Sequence, residues 1–140
     1  RHFSELFNLI QQYSLGGIIP KQAHPEPQVN CLNRLQECSK YPLLVTCDAE
    51  WGLGMRMPNT VSFPRNLTLG AIEDDELIKK VGRVVSQHCR SVGAHLNFAP
   101  VADINNNPKN PIIHRRSFGQ DPEFVKKIAP SGSSSRPSTL

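Results

Sequence analysis

Two apolar stretches of this chain end abruptly on acids, and that is where its chemistry is expected. Pro42-Leu43-Leu44-Val45-Thr46-Cys47 runs into Asp48-Ala49-Glu50-Trp51-Gly52, and Leu96-Asn97-Phe98-Ala99-Pro100-Val101-Ala102 runs into Asp103-Ile104-Asn105. If each apolar stretch is a strand, Asp48, Glu50 and Asp103 all reach the C-terminal rim of one sheet. Carboxylates grouped there can bind sugar hydroxyls, hold a metal ion or move protons. Asp48 and Asp103 equally suit loop capping, by accepting backbone N–H groups. Glu50 equally suits a structural pairing with Arg56 or Arg65. Trp51, directly after the acids, either stacks on a sugar ring or covers the end of the fold.

A second group follows a loop of Asn and Pro, at His114-Arg115-Arg116-Ser117-Phe118-Gly119. An arginine fork offers paired donors that match carboxylates, phosphates or vicinal hydroxyls. Only one of the two arginines need face a site, since a loop arginine is usually solvated. His24, His88, His95 and His114 show no H-x-x-x-H spacing, and Cys31, Cys38, Cys47 and Cys89 form no C-x-x-C pair. Neither a histidine metal site nor a zinc site is expected, and the four cysteines read as reduced, mostly buried thiols.

The elements that must position these groups alternate. Apolar residues at helical spacing run from Phe3 to Ile10 and stop before Gly16-Gly17, and Gly17-Ile18-Ile19 then makes a short strand. Positions 21–27 carry Pro25 and Pro27 and read as loop. Val29, Leu32 and Leu35 line a helix from Gln28 to Lys40. Leu43 to Cys47 lacks polar alternation, as a parallel strand covered on both faces does. Trp51 to Leu69 reads as irregular and functional, being too long for a plain connection. Asp74-Asp75-Glu76 opens a helix to Arg90 with a stripe of Leu77, Ile78, Val81, Val84 and Val85; Gly93 ends it, and a strand from Ala94 to Ala102 follows. Asp121 and Pro122 open a last helix.

Helix, strand, helix, strand, helix, strand is the order of parallel β/α units, whose chemistry sits at the strands' C-terminal ends. Barrels and open doubly wound sheets share that rule. No G-x-G-x-x-G or G-x-x-x-x-G-K-[ST] motif follows a strand, which argues against a nucleotide-binding fold. With 140 residues and 38% hydrophobic content, the chain suffices for one domain with a sizeable core. No run has the roughly 18 apolar residues of a membrane helix, so no membrane segment is expected. The net charge of +4 is scattered among acids with few aromatic residues, so nucleic acid is not an expected partner. The N-terminus lacks signal-peptide order and does not begin with Met, so upstream sequence is expected to be missing.

Taken in order, Asp48-Ala49-Glu50-Trp51-Gly52-Leu53-Gly54-Met55-Arg56, Phe63-Pro64 with Thr68-Leu69-Gly70-Ala71, Asn97 to Asn105, and Arg116-Ser117-Phe118-Gly119 resemble the N-terminal domain of glycoside hydrolase family 3. Within it they resemble the β-N-acetylhexosaminidase branch. The resemblance covers about residues 3 to 129 and rests on the ordered set of four motifs. It implies a TIM-type (β/α)8 barrel that cleaves β-linked N-acetylglucosamine or glucose with retention, through an aspartate nucleophile and without a cofactor. It implies a carbohydrate partner and makes Asp48 and Arg116 sugar-contacting residues, with Trp51 beside them and Asp103 structural.

The departures are as definite. The K-H-F-P-G-H-G segment that the family places after this last helix is absent, and no residue after Pro130 matches the nucleophile. A full barrel takes about 250 residues. The expectation is therefore a partial barrel domain over residues 1–129 and a Ser/Gly/Pro-rich disordered tail over 130–140. The rest of the barrel becomes the missing partner, no catalytic residue is assigned, and the open sheet is expected to favour aggregation.

Overall fold

The computed structural model describes residues 2–132. Three parallel strands form one sheet in the order β1-β2-β3: β1 is Gly17–Ile18, β2 is Leu44–Cys47 and β3 is Leu96–Asn97. β2 uses its first half on one neighbour and its second half on the other. Gly17 and Ile18 pair with Leu44 and Val45, whereas Leu96 and Asn97 pair with Thr46 and Cys47. Sequential parallel strands joined by helical crossovers are the winding of the first part of a (β/α)8 barrel.

Helix α1 covers His2–Tyr13 and α2 covers Pro25–Cys38. A short α3, Asn66–Gly70, precedes α4, Asp75–Ser91, and α5 covers Pro122–Gly132. Three apolar clusters hold these elements together, two of them against the sheet. Ile10, Leu35 and Leu43 join α1 and α2 to the entrance of β2. Cys47, Ala49, Leu53, Val85 and Cys89 join β2 to α4 and the loop after β2. Leu69, Ile78, Phe118, Val125 and Ile128 join α3, α4 and α5.

Four elements differ from the sequence expectation. α2 starts at Pro25, not Gln28, because first-turn N–H groups have no intrahelical partner, so prolines there forfeit no bond. β3 stops at Asn97 instead of Ala102: after Phe98 N–H donates to the Cys47 carbonyl at 2.8 Å, β2 has no further ladder group to offer. The segment expected to be irregular holds a 3₁₀ turn at Leu53–Met55 as well as α3. α5 continues through Pro130 to Gly132, where burial of Ile128 and Ala129 anchors its last turns despite the missing proline N–H. The rest of the tail expected to be disordered, positions 133–140, lies outside the described residues.

On α4 the buried row is Ile78, Gly82, Val85 and Cys89, while Leu77 faces outward. The helix is bounded as its sequence suggests. Asp74 Oδ1 accepts from the Leu77 N–H at 3.0 Å, and Gly93 adopts φ +81 beyond the last turn. Asp74→Ala is expected to lower stability by about 1 kcal/mol, read as a lower thermal midpoint by circular dichroism.

Side chains on a strand alternate between faces. Cys47 points to α4, so Leu44 and Thr46 point to the opposite face, together with Leu96 and Phe98 by register. Leu44, Leu96 and Phe98 are 50%, 44% and 53% exposed. The sheet thus has one face covered by helices and one open among the described residues, the latter corresponding to a barrel's interior.

Candidate carbohydrate-contacting site

The loop that leaves β2 is held by an asparagine of the neighbouring strand. Asn97 Oδ1 accepts from the Ala49 N–H at 2.9 Å and Asn97 Nδ2 donates to the Ala49 carbonyl at 3.2 Å. One side-chain amide thus satisfies both backbone polar groups of Ala49, the residue between Asp48 and Glu50, fixing where the two acids point. Gly52, at φ +94, then turns the chain into the 3₁₀ segment, and a Cβ there would press on the Val61 carbonyl.

Each acid of the Asp48 loop takes its own arginine. Arg56 Nη2 donates to Asp48 Oδ2 at 2.7 Å, and Arg56 Nε donates to the Asp48 carbonyl at 3.2 Å. Arg116 Nε reaches both Glu50 oxygens at 3.0 Å, and Arg116 Nη2 donates to Glu50 Oε1 at 2.8 Å. Proximity in sequence points to Arg56 or Arg65 as the partner of Glu50, but Arg56 folds back from the 3₁₀ turn onto Asp48. The Glu50 side chain is only 6% exposed and that of Arg116 is 36%. The hydrogen bond to Glu50 holds the Arg116 guanidinium above its ordinary range; burial opposes this, and the charges of Glu50 and Asp48 add to it.

Arg116 is placed by a polar scaffold that spacing alone did not reveal. Buried Asn66 Nδ2 donates to the Arg116 carbonyl at 2.7 Å. The fully buried Ser117 hydroxyl donates to the Asp103 carbonyl at 2.6 Å and accepts from the Gly119 N–H at 3.2 Å. Gly70 lets α3 lie against this segment, since a Cβ on it would collide with the Phe118 carbonyl. Asn66 reads in sequence as an ordinary turn residue, and nothing in its spacing points 50 positions ahead.

Asp103 takes the capping role, with Oδ1 accepting from the Ile104 N–H at 2.9 Å. Six residues beyond the end of β3, it contributes to the Arg116 region through its backbone carbonyl. The three carboxylates therefore do not act as one metal-binding cluster. Among the described residues no three His, Cys, Asp or Glu side chains come together to hold an ion. The Trp51 ring is covered on one face by the Arg65 guanidinium, 3.9 Å from the ring centroid.

Arg116 also lines an open cleft of about 340 Å3, with Arg65, Lys109, His114 and Arg115. Its volume falls in the range of small-ligand sites. Asp48 and Trp51 are not among its walls. A cavity of about 30 Å3 lies behind the fork, where Glu50, Asn66 and Asn97 converge.

The deciding comparison is with a family model. Residues 2–132 match the glycosyl hydrolase family 3 N-terminal domain. The chain belongs to glycosyl hydrolase family 3. A beta-hexosaminidase A of Pseudoalteromonas piscicida is 34% identical over 137 residues, which take in 89% of this chain and 23% of that protein. A beta-N-acetylglucosaminidase/beta-glucosidase of Cellulomonas fimi is 26% identical over 79% of this chain and 20% of its own. The solved glycoside hydrolase family 3 beta-N-acetylglucosaminidase of Paenibacillus sp. str. FPU-7 superposes with a TM-score of 0.83 at 34% identity, over 91% of this chain and 26% of that one. This chain thus spans about a fifth to a quarter of the length of these three proteins. The fold expectation, the start of a family 3 parallel α/β barrel, stands.

Proposed function

We propose that these 140 residues supply one wall of the sugar subsite of a retaining family 3 β-glycosidase acting on β-linked N-acetylglucosamine or glucose. Asp48 and Arg116 contact the sugar and Trp51 flanks it. The observation that carries this reading is what the ion pairs leave over. Arg56 occupies Asp48 Oδ2 and Glu50 occupies Arg116 Nε and Nη2, whereas Asp48 Oδ1 and Arg116 Nη1 make no hydrogen bond among the described residues. A carboxylate oxygen and a guanidinium nitrogen left without a partner, on side chains 30% and 36% exposed, offer one acceptor and one donor, which suits sugar hydroxyls.

The same reading assigns no nucleophile and no acid/base group to this chain. Asp48, Glu50 and Asp103 are each engaged with an arginine or with backbone, and the Pseudoalteromonas piscicida relative is about four times longer. The domain takes in residues 2–132, through the end of α5, and the exposed Leu44, Leu96 and Phe98 face would become the interior once further strands closed a barrel. The purified chain is expected to release no aryl alcohol from an aryl β-N-acetylglucosaminide above the enzyme-free blank. Turnover that scales with protein concentration would overturn the assignment.

A further inference from the structure

Two thiols that the sugar-contacting reading leaves unused lie directly beneath the Asp48 loop. Cys47 is the last residue of β2 and immediately precedes Asp48; Cys89 lies near the end of α4. Both are buried, and their sulfurs are 3.7 Å apart. A disulfide bond is about 2.0 Å long, so bonding asks each sulfur to move by about 0.8 Å, a small rotation about χ1. Cys31 and Cys38, by contrast, sit seven positions apart on one helix, and Cys38 Sγ donates to the Leu35 carbonyl at 3.2 Å.

The pair is also wired to the loop. Cys47 Sγ lies 3.9 Å from Asn97 Oδ1, the same oxygen that accepts from the Ala49 N–H. Moving that sulfur toward Cys89 disturbs the clamp that orients Asp48 and Glu50. We propose that Cys47 and Cys89 are a redox pair, which a small peroxide oxidises to a disulfide that ties the end of β2 to α4 beneath the sugar-contacting loop.

The chemistry balances with hydrogen peroxide as oxidant. The Cys47 thiolate attacks one peroxide oxygen, the O–O bond breaks and hydroxide leaves, giving a sulfenic acid. Cys89 sulfur then attacks Cys47 sulfur, the S–O bond breaks, and water leaves with the Cys89 proton. Two thiols are oxidised and one peroxide becomes two waters. Cys47 is the attacking member because its hydrogen bond with Cys89 holds its thiol below the usual range, against the opposing effect of burial. The same bond, with burial, pushes Cys89 up and keeps it protonated until the second step. Local opening of the loop admits the oxidant.

The test is oxidation of the native chain with hydrogen peroxide, alkylation of remaining thiols and peptide mapping. A Cys47–Cys89 linked peptide should dominate, lighter by two hydrogens, with Cys31 and Cys38 still alkylated. The thermal midpoint should rise by roughly 10 °C and return with dithiothreitol, since the bond closes a long loop of the unfolded chain. Cys89→Ser should stop at a Cys47 sulfenic acid trapped by dimedone, whereas the Cys31→Ser/Cys38→Ser double variant should behave as wild type. Full alkylation of Cys47 and Cys89 after peroxide overturns the proposal. So does a pattern of links equal to that of the urea-unfolded chain.

Discussion

Arg116→Ala is expected to destabilise the chain by about 2–3 kcal/mol and to abolish saturable binding of N-acetylglucosamine. The stability term follows from burial: without the guanidinium, the Glu50 carboxyl group, with its side chain 6% exposed, loses the donors at 2.8 and 3.0 Å. Removing one partner of a fully buried ion pair costs about 3–5 kcal/mol, and the 36% exposure of Arg116 reduces this by solvent screening. The binding term follows from the loss of Nη1. The two effects separate in a double variant. Arg116→Met with Glu50→Leu replaces the pair by apolar groups and should regain most of the stability without regaining the sugar. Chemical denaturation and calorimetric titration read the two quantities independently. An Arg116→Ala chain as stable as wild type would show that the fork does not hold the loop.

Ile128→Ala should be the costliest single truncation of the core, at about 2–5 kcal/mol. Ile128 is completely buried and packs in the cluster formed by Leu69, Ile78, Phe118 and Val125, where α3, α4 and α5 meet. Phe118 lies two residues beyond Arg116, so a cavity here loosens the segment that carries the arginine as well as the helix. Urea unfolding should show a lower midpoint at an unchanged slope. A change below 1 kcal/mol would mean that α5 is not part of the cooperative core.

The architecture was legible in the residues because its signals are local. Apolar spacing of three and four on α4, the acids at its start and Gly93 at its end all coincide with the observed helix. β2, an apolar stretch without alternation, is the central strand with a neighbour on each side. What sequence missed depends on what neighbouring chain segments offer. β3 ends early because β2 ends, and α5 outlasts Pro130 because Ile128 and Ala129 are buried.

The site divides in the same way. Asp48, Glu50 and Arg116 announced themselves by residue type at the ends of apolar stretches and in a loop. Their pairing did not, because Arg116 is 66 positions from Glu50 and Arg56 lies closer in sequence to both acids. Asn66 and Ser117 were invisible as positioning groups, since their importance lies in backbone atoms of Arg116 and Asp103 that no sequence pattern encodes. Asn97 did offer a signal: a polar side chain on the last residue of a strand, beside the residue that precedes Asp48 on the next strand.

Whether Asp48 and Arg116 present a sugar-contacting wall is read by titrating N-acetylglucosamine into the wild-type chain and into Asp48→Ala. Wild type should saturate, and Asp48→Ala should bind about 10- to 100-fold more weakly, the cost of one or two charge-assisted hydrogen bonds. Equal affinity for both chains, or no saturable binding by wild type, would mean that Asp48 and Arg116 form no sugar-contacting wall.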